Sequence, residues 1–398
     1  MCNNLDKKAE SGEIIELDII FQKLAMDVIS EVAFQYKLEG KFEKAYEKVS
    51  KSFELIQDVL LYPKFLFRLP AILLPNSSTI GQYKRITEFL DELADDIFKN
   101  ICKNQKEGNL KDNSLAKSIY EFSQKPDIRL EEVKSEIRLM FIAGFETTAH
   151  TLSFFFYSLA ANPIIQLKVQ ESIDNWYMEN DDNMQVGIMP PYVEGVLKES
   201  FRKYPTAANG SMRLVKNPEG FHLKKNIDSN KLNEDETLTQ NDEESEDFLL
   251  PKGTWVIVDI YSLHNCSNNW VKPKEFIPER FLTKEKIDGI FTFDDIDEEN
   301  ETKKDPFLSN NPLSSVGAYG GIGNDKNDLV FAPFSYGPRN CLGMHLSMLE
   351  LRTTIMRMVL RYSFELADKD MLDDSNMMET YLTMRPKNKL PMYLTRRD

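Results

Sequence analysis

The densest chemical signal in this 398-residue sequence is Phe334 to Gly343, FSYGPRNCLG. A loop with two glycines and a proline brings one cysteine to the start of an apolar helical stretch. Helix N-terminal amides and the neighbouring Arg339 both stabilise negative sulfur, so a thiolate is favoured there. Cys341 therefore reads as a nucleophile, a metal ligand or a buried thiol, and one cysteine leaves these open. Gly337 and Gly343 add weight to a ligand, because backbone without side chains can approach something flat and bulky.

The second signal is Ala143-Gly144-Phe145-Glu146-Thr147-Thr148, inside a long apolar stretch. Gly144 costs a helix about 1 kcal/mol relative to alanine, and the Thr147 hydroxyl can bond back to the carbonyl of Ala143. Together they would open a groove where an acid beside a hydroxyl can pass protons to a ligand. The plainer alternative is a packing kink with Glu146 paired to a base. The third signal is Glu199 and Arg202, neighbours on one helix face that by spacing alone read as an ordinary surface ion pair. The four histidines show no HExxH or paired-ligand spacing, and there is no GxSxG elbow for a serine nucleophile. GAYGGIG, Gly317 to Gly323, matches neither GxGxxG nor the phosphate-loop pattern.

The elements that must position these residues are mostly helical. Apolar residues recur at helical spacing over Ile14 to Phe34, Phe42 to Leu61 and Ile86 to Cys102. Leu130 to Ala161 is the longest helix expected, with acids in its first turns and a stop before Asn162-Pro163. Tyr192 to Lys203 and Cys341 to Tyr362 complete the set. Short strands rich in β-branched residues are expected at Met212 to Val215 and Thr254 to Ile260.

The net charge of −15 argues against nucleic-acid binding, and its distribution is uneven. Residues 228–247 hold nine acids against Lys231, and residues 288–301 hold seven acids and no base, so the rest of the chain is balanced. The acidity reads as two insertions, 223–248 in a hairpin and 283–327 in a long region of low hydrophobicity. Four cysteines without CxxC spacing fit neither a disulfide framework nor a structural zinc site, and a reducing compartment suits them. No run of 18 apolar residues occurs; Leu60 to Pro75 is the stretch that could dip into a membrane or form a buried loop.

In this order the motifs resemble the cytochrome P450 family. FSYGPRNCLG matches its FxxGxRxCxG loop, AGFETT its oxygen-site helix, Glu199-Ser200-Phe201-Arg202 its ExxR motif, and Pro278-Glu279-Arg280-Phe281 its PERF element. The resemblance implies a mainly α fold with small β-sheets, one domain over residues 1–398. It implies haem b held by Cys341 as axial thiolate, Phe334 shielding the sulfur, and Arg339 and Arg213 on the propionates. Gly337 and Gly343 would shape the haem loop, and Ala143 and Gly144 would leave room for dioxygen. Glu146 and Thr147 would deliver protons, and Glu199, Arg202 and Arg280 would form a buried ionic cluster.

The activity so implied is monooxygenation of a lipophilic substrate with dioxygen and electrons from an NADPH-dependent reductase, at the cytosolic face of the endoplasmic reticulum with peripheral membrane contact, a plastid or a soluble fragment being the alternatives. No nucleic-acid partner is expected. Pocket candidates are Met140, Phe141, Ala207 to Met212 and Tyr381 to Thr383, with Arg352, Arg357 and Arg361 as cations for the reductase. The alternative is an inactive or haem-poor fragment acting through partners, since the family's anchor, first helices and first strands would precede Ile14. On either reading the chain is expected to lack an N-terminal part and, by itself, to take up haem poorly.

Overall fold

In a computed structural model of the chain, residues 2–38, 40–41, 44–49, 51, 55, 78–180, 186–223, 248–282 and 330–397 are described. Helix α1 (Cys2–Ser11) leads to strand β1 (Ile15–Glu16) and helix α2 (Leu17–Val28), which continues as a π-helical stretch, Ile29–Ala33. Helices α3 (Thr79–Lys106), α4 (Leu115–Ser123), α5 (Leu130–Ala161), α6 (Pro163–Glu179) and α7 (Pro191–Lys203) follow. Strands β2 (Met212–Leu214), β3 (Phe221–Leu223), β4 (Phe248–Leu250) and β5 (Trp255–Ile257) precede the short helix α8 (Ile260–Asn265) and a 3₁₀ turn, Pro278–Phe281. After a second 3₁₀ turn, Gly337–Arg339, come α9 (Met344–Arg361), β6 (Tyr362–Leu366), α10 (Asp374–Met377), β7 (Met378–Thr380), β8 (Met384–Pro386) and β9 (Pro391–Arg396).

Helix α5 is the axis of the protein. Glu131 and Glu132 sit in its first turn, where they favour the positive end of the helix dipole, and Glu132 closes a capping box with Arg129. Phe154, Phe155, Phe156 and Tyr157 are all buried although they point around the whole helix, so neighbours enclose this half on every side. Phe21 of α2 stacks on Phe156 at 5.2 Å between ring centres, Phe364 of β6 meets the same ring at 4.5 Å, and Tyr204 stacks on Phe154 at 5.3 Å. Each such side chain contributes about 1.5–3 kcal/mol by leaving water. The helix is long and apolar enough to cross a membrane, but 67% of its most apolar window is buried inside the protein, which makes it a core helix.

The sheets are small and antiparallel. β1, β9 and β6 form one of three strands, with Ile15 opposite Met392 and Phe364 opposite Leu394. β2 pairs with β5, β3 with β4, and β7 with β8. The β3–β4 register sets Leu223 against Phe248, so the first acidic segment leaves and rejoins the fold at adjacent residues of one ladder.

Several boundaries differ from the sequence expectation for local reasons. The helix expected from Ile14 starts at Leu17, because Ile15 and Glu16 pair with β9. The strand expected to reach Ile260 stops at Ile257, because the Asp259 carboxylate accepts from the Ser262 amide and caps α8. The helix expected from Cys341 starts at Met344. Most of Phe42–Leu61, and all of Leu60–Pro75, both acidic runs, Thr283–Asn327 and GAYGGIG, lie outside the described residues.

Candidate active site

The cysteine loop is tied at both ends. The Cys341 amide donates to the Phe334 carbonyl at 2.8 Å, and the Asn340 amide donates to Gly337 at 3.1 Å, closing the loop on itself. Gly337 has φ +81°, a left-handed conformation that costs other residues about 1–2 kcal/mol, and nothing lies within 4 Å of where its Cβ would be. The Phe334 ring packs edge-on against Phe201 of α7, 5.2 Å between centres. Cys341 itself is exposed, just ahead of α9. Surrounding protein raises its thiol pKa, while the amides of Gly343 and Met344 donate to the sulfur and pull the other way. Those two amides are a donor set suited to a thiolate. Among the described residues no group of three or more His, Cys, Asp or Glu could hold a metal ion, so a metal at Cys341 would have to bring its other ligands with it.

Beneath the loop lies a fully buried ionic cluster. Both oxygens of Glu199 take hydrogen bonds from Arg202, Nε and Nη2 each at 2.8 Å, and Oε1 also accepts from the Ile277 amide at 2.9 Å and Arg280 Nε at 3.4 Å. Helical spacing alone made this an ordinary surface pair; the side chains of Glu199 and Arg202 are instead wholly buried. The difference is tertiary. Arg202 donates to the carbonyls of His264 and Glu275 and lies over the Trp270 ring, so its remaining donors are satisfied by backbone brought from α8 and beyond. A Cβ on Gly195 would sit 3.0 Å from the Pro278 carbonyl, so α7 lies close against the 3₁₀ turn that carries Arg280.

His264, a structural histidine, links this cluster to the cysteine loop. Its Nδ1–H donates to the Phe201 carbonyl at 3.3 Å, and Nε2 accepts from the Ala332 amide at 2.9 Å, two residues before Phe334. Burial pushes its pKa down to about 3, the neutral form that such an acceptor requires.

On α5 the Thr147 hydroxyl donates to the Ala143 carbonyl at 2.8 Å, and Ala143 is exposed. The helix nevertheless runs without a break, and the space beside Gly144 is filled: a Cβ there would lie 2.8 Å from Ile29 Cδ1. The groove expected at Gly144 is therefore the seat of the π-helical stretch, and the open side of the helix is that of Ala143. Glu146 is buried, and burial pushes its pKa up to about 8. The Thr383 hydroxyl and Arg385 offset part of this, and Asp18 adds to it.

Side-chain bonds draw the surrounding elements onto this stretch of α5. Thr148 Oγ1 meets Ser347 Oγ of α9 at 3.0 Å, and Thr151 Oγ1 meets Thr206 Oγ1 at 3.0 Å. The Met384 amide of β8 donates to the Thr206 carbonyl at 2.8 Å, bringing Tyr381–Thr383 beside Ala207–Met212. Of the pocket candidates, Ala207, Met212 and Leu382 are exposed and Met140 is half-buried. Phe141 is buried against Phe145 and offers a ligand little surface.

Arg339 and Arg213 are both exposed, and Arg213 donates to the Met212 carbonyl. Among the three arginines expected to face a reductase, Arg357 is exposed, Arg352 is held by Glu194 at 2.8 and 3.0 Å, and Arg361 lies 4.0 Å from Asp6. Glu350 of α9 is a further buried acid, pushed by burial to about 8, whose Oε1 makes no hydrogen bond to any described residue.

A family model described as cytochrome P450 matches residues 1–228 and 236–392, the break falling inside the first acidic run. Cytochrome P450 3A12 of Canis lupus familiaris is 27% identical over 378 residues, and cytochrome P450 3A7 of Homo sapiens is 26% identical over 377. Each alignment covers 92% of this chain and 62% of the relative, so the chain spans less than two thirds of the length of these curated relatives.

Proposed function

This chain belongs to the cytochrome P450 family, whose cofactor is haem, and from that premise we propose that it is a haem-thiolate monooxygenase acting on a lipophilic substrate. The observation that carries the reading is the sulfur of Cys341, exposed ahead of α9 with two backbone amides aimed at it. Cys341 would be the iron ligand, with Arg339 and Arg213 as propionate partners and Phe334 covering the sulfur. When bound, haem supplies dioxygen binding and oxygen insertion, using electrons from an NADPH-dependent reductase.

The protein's own part follows from its residues. The amides of Gly343 and Met344 favour the charged form of the sulfur but are outweighed by the surrounding protein, so the thiol is the form favoured without iron and the amides would support the thiolate once it is a ligand. Glu146, with a pKa near 8, is protonated at neutral pH and can give up a proton; Thr147, anchored on the Ala143 carbonyl, is the neighbouring hydroxyl that can pass it on. Glu199, Arg202 and Arg280, through His264 and Ala332, keep the loop in place. The exposed residues of Ala207–Met212 and Leu382 would meet the substrate. The endoplasmic reticulum and peripheral membrane contact belong to the same reading, as do the single domain and its two acidic insertions.

The test is the carbon monoxide difference spectrum of the reduced protein. The red-shifted band of thiolate-ligated haem is expected from the 398-residue chain, and its loss in Cys341→Ala. A chain that binds no haem, or a band that survives the substitution, overturns the proposal.

A further inference from the structure

Apolar side chains gather in solvent on the β2–β5 and β3–β4 ladders, where the monooxygenase reading has no use for them. The β2–β5 register sets Leu214 opposite Trp255, so the two share a face with Ile257, two residues further along. The β3–β4 register sets Leu223 opposite Phe248, and Phe221 shares that face. These six side chains are between 38% and 63% exposed. The ladders follow one another as one ribbon. At their joint the Val215 amide donates to the Thr254 carbonyl and the Gly253 amide to the Val215 carbonyl, each at 2.9 Å. A Cβ on Gly220 would lie 2.6 Å from the Leu250 carbonyl oxygen, so the two strands stay close there. Among the described residues no other strand pairs with either ladder.

At roughly 150–250 Å² for a large side chain, half exposure of six amounts to about 500–800 Å². Soluble monomers rarely leave that much apolar surface open in one place, and a standard protein interface takes about 800 Å² from each partner. Charge narrows the choice of partner. Residues 228–247, with nine acids against Lys231, join the ribbon at its tip, between Leu223 and Phe248, and repel an anionic lipid surface. A second copy brings an apolar ribbon of the same length and shape. Parallel pairing would set the two acidic runs side by side. Antiparallel pairing puts them at opposite ends and turns each toward the middle of the partner ribbon, where Lys216 and Lys252 are exposed beside the single acid Glu219.

We propose that this ribbon is the interface of a homodimer, in which a second copy of the chain lies antiparallel on it, apolar face against apolar face. Such a two-fold pair closes on itself, so each ribbon is covered once and no open array of copies grows. The dimer does not depend on haem, and neither Cys341 nor Glu146 takes part in it.

Sedimentation equilibrium of the full 398-residue chain, from nanomolar to tens of micromolar, reads the association directly. A species of twice the chain mass is expected. Trp255→Lys and Phe248→Lys, one in each ladder and both at exposed positions, are each expected to weaken it at least about tenfold, and together to leave a monomer. Ile164→Lys, at an exposed apolar position of α6, is expected to leave the dimer unchanged. Circular dichroism like that of the parent shows that the variants are folded. Hydrogen exchange over 212–223 and 248–257 is expected to slow as the dimer forms. A monomer at every concentration, a dimer indifferent to both lysines, or a mass that keeps growing with concentration overturns the proposal. So does a monomer that floats with phosphatidylcholine vesicles and loses them in Trp255→Lys, because the ribbon is then a lipid contact.

Discussion

Replacing Glu199 by glutamine removes the carboxylate that pairs with two buried guanidinium groups in this cluster. Arg202 is fully buried and Arg280 is 3% exposed, and Glu199 takes four hydrogen bonds, three of them from these arginines. A glutamine keeps the shape but offers one oxygen instead of two and turns an amide donor toward a cation. Breaking a buried pair by removing one partner costs about 3–5 kcal/mol, against a total stability on the order of 5–15 kcal/mol. Glu194→Gln is the matched control, since Glu194 makes the same two-pronged bond to Arg352 with both side chains partly exposed, where the loss should be about 1 kcal/mol. Equilibrium urea unfolding, followed by the fluorescence of Trp270 against Arg202, gives both values. If Glu199→Gln costs no more than Glu194→Gln, the cluster does not hold the fold together and the argument from burial is wrong.

Two further outcomes follow from buried groups and close packing. Glu146 and Glu350 both have folded pKa values near 8, above the ordinary carboxylate value of 4.5, so the folded state binds more protons and stability falls as pH rises between them. Each group contributes up to about 1.4 kcal/mol per pH unit in that window, and Glu146→Gln or Glu350→Gln should each flatten urea-derived stability between about pH 5 and 8. A slope unchanged in both variants refutes this. Gly144→Ala should lose about 1–2 kcal/mol despite the better helix propensity of alanine, because its Cβ would press on Ile29. Combining it with Ile29→Val should recover at least about 0.5 kcal/mol beyond additivity, and strict additivity in thermal or urea unfolding would show that the two do not touch.

Long helices were legible in the sequence because their signals are local. Leu130–Ala161 was bounded by acids at one end and Asn162-Pro163 at the other, and the structure keeps both limits. Strands two or three residues long carry little pattern, and of these β2 and β5 stood out. β1 exists only because β9 lies beside it, and the four C-terminal strands were not anticipated at all. The cysteine loop and the acid–threonine pair were visible as motifs, since their residue types are unusual where they stand. What surrounds them was not. The burial of Glu199 and Arg202 depends on the carbonyls of His264 and Glu275, 62 and 73 positions beyond Arg202. Nothing local marked Glu350 as a buried acid.

The sheet that sets Ile15 against Met392, together with the Tyr362 hydroxyl bonded to Asp6 at 2.6 Å, imposes an order on biosynthesis. β1 emerges from the ribosome long before β9, so its pairing must wait for most of the fold, whereas the apolar side of α2 is covered as soon as α5 follows it. Until then the edge at β1 is open to chaperones or to neighbouring nascent chains. A product stopped before β9 would keep α2 seated on α5 and leave β1 without its strand partner.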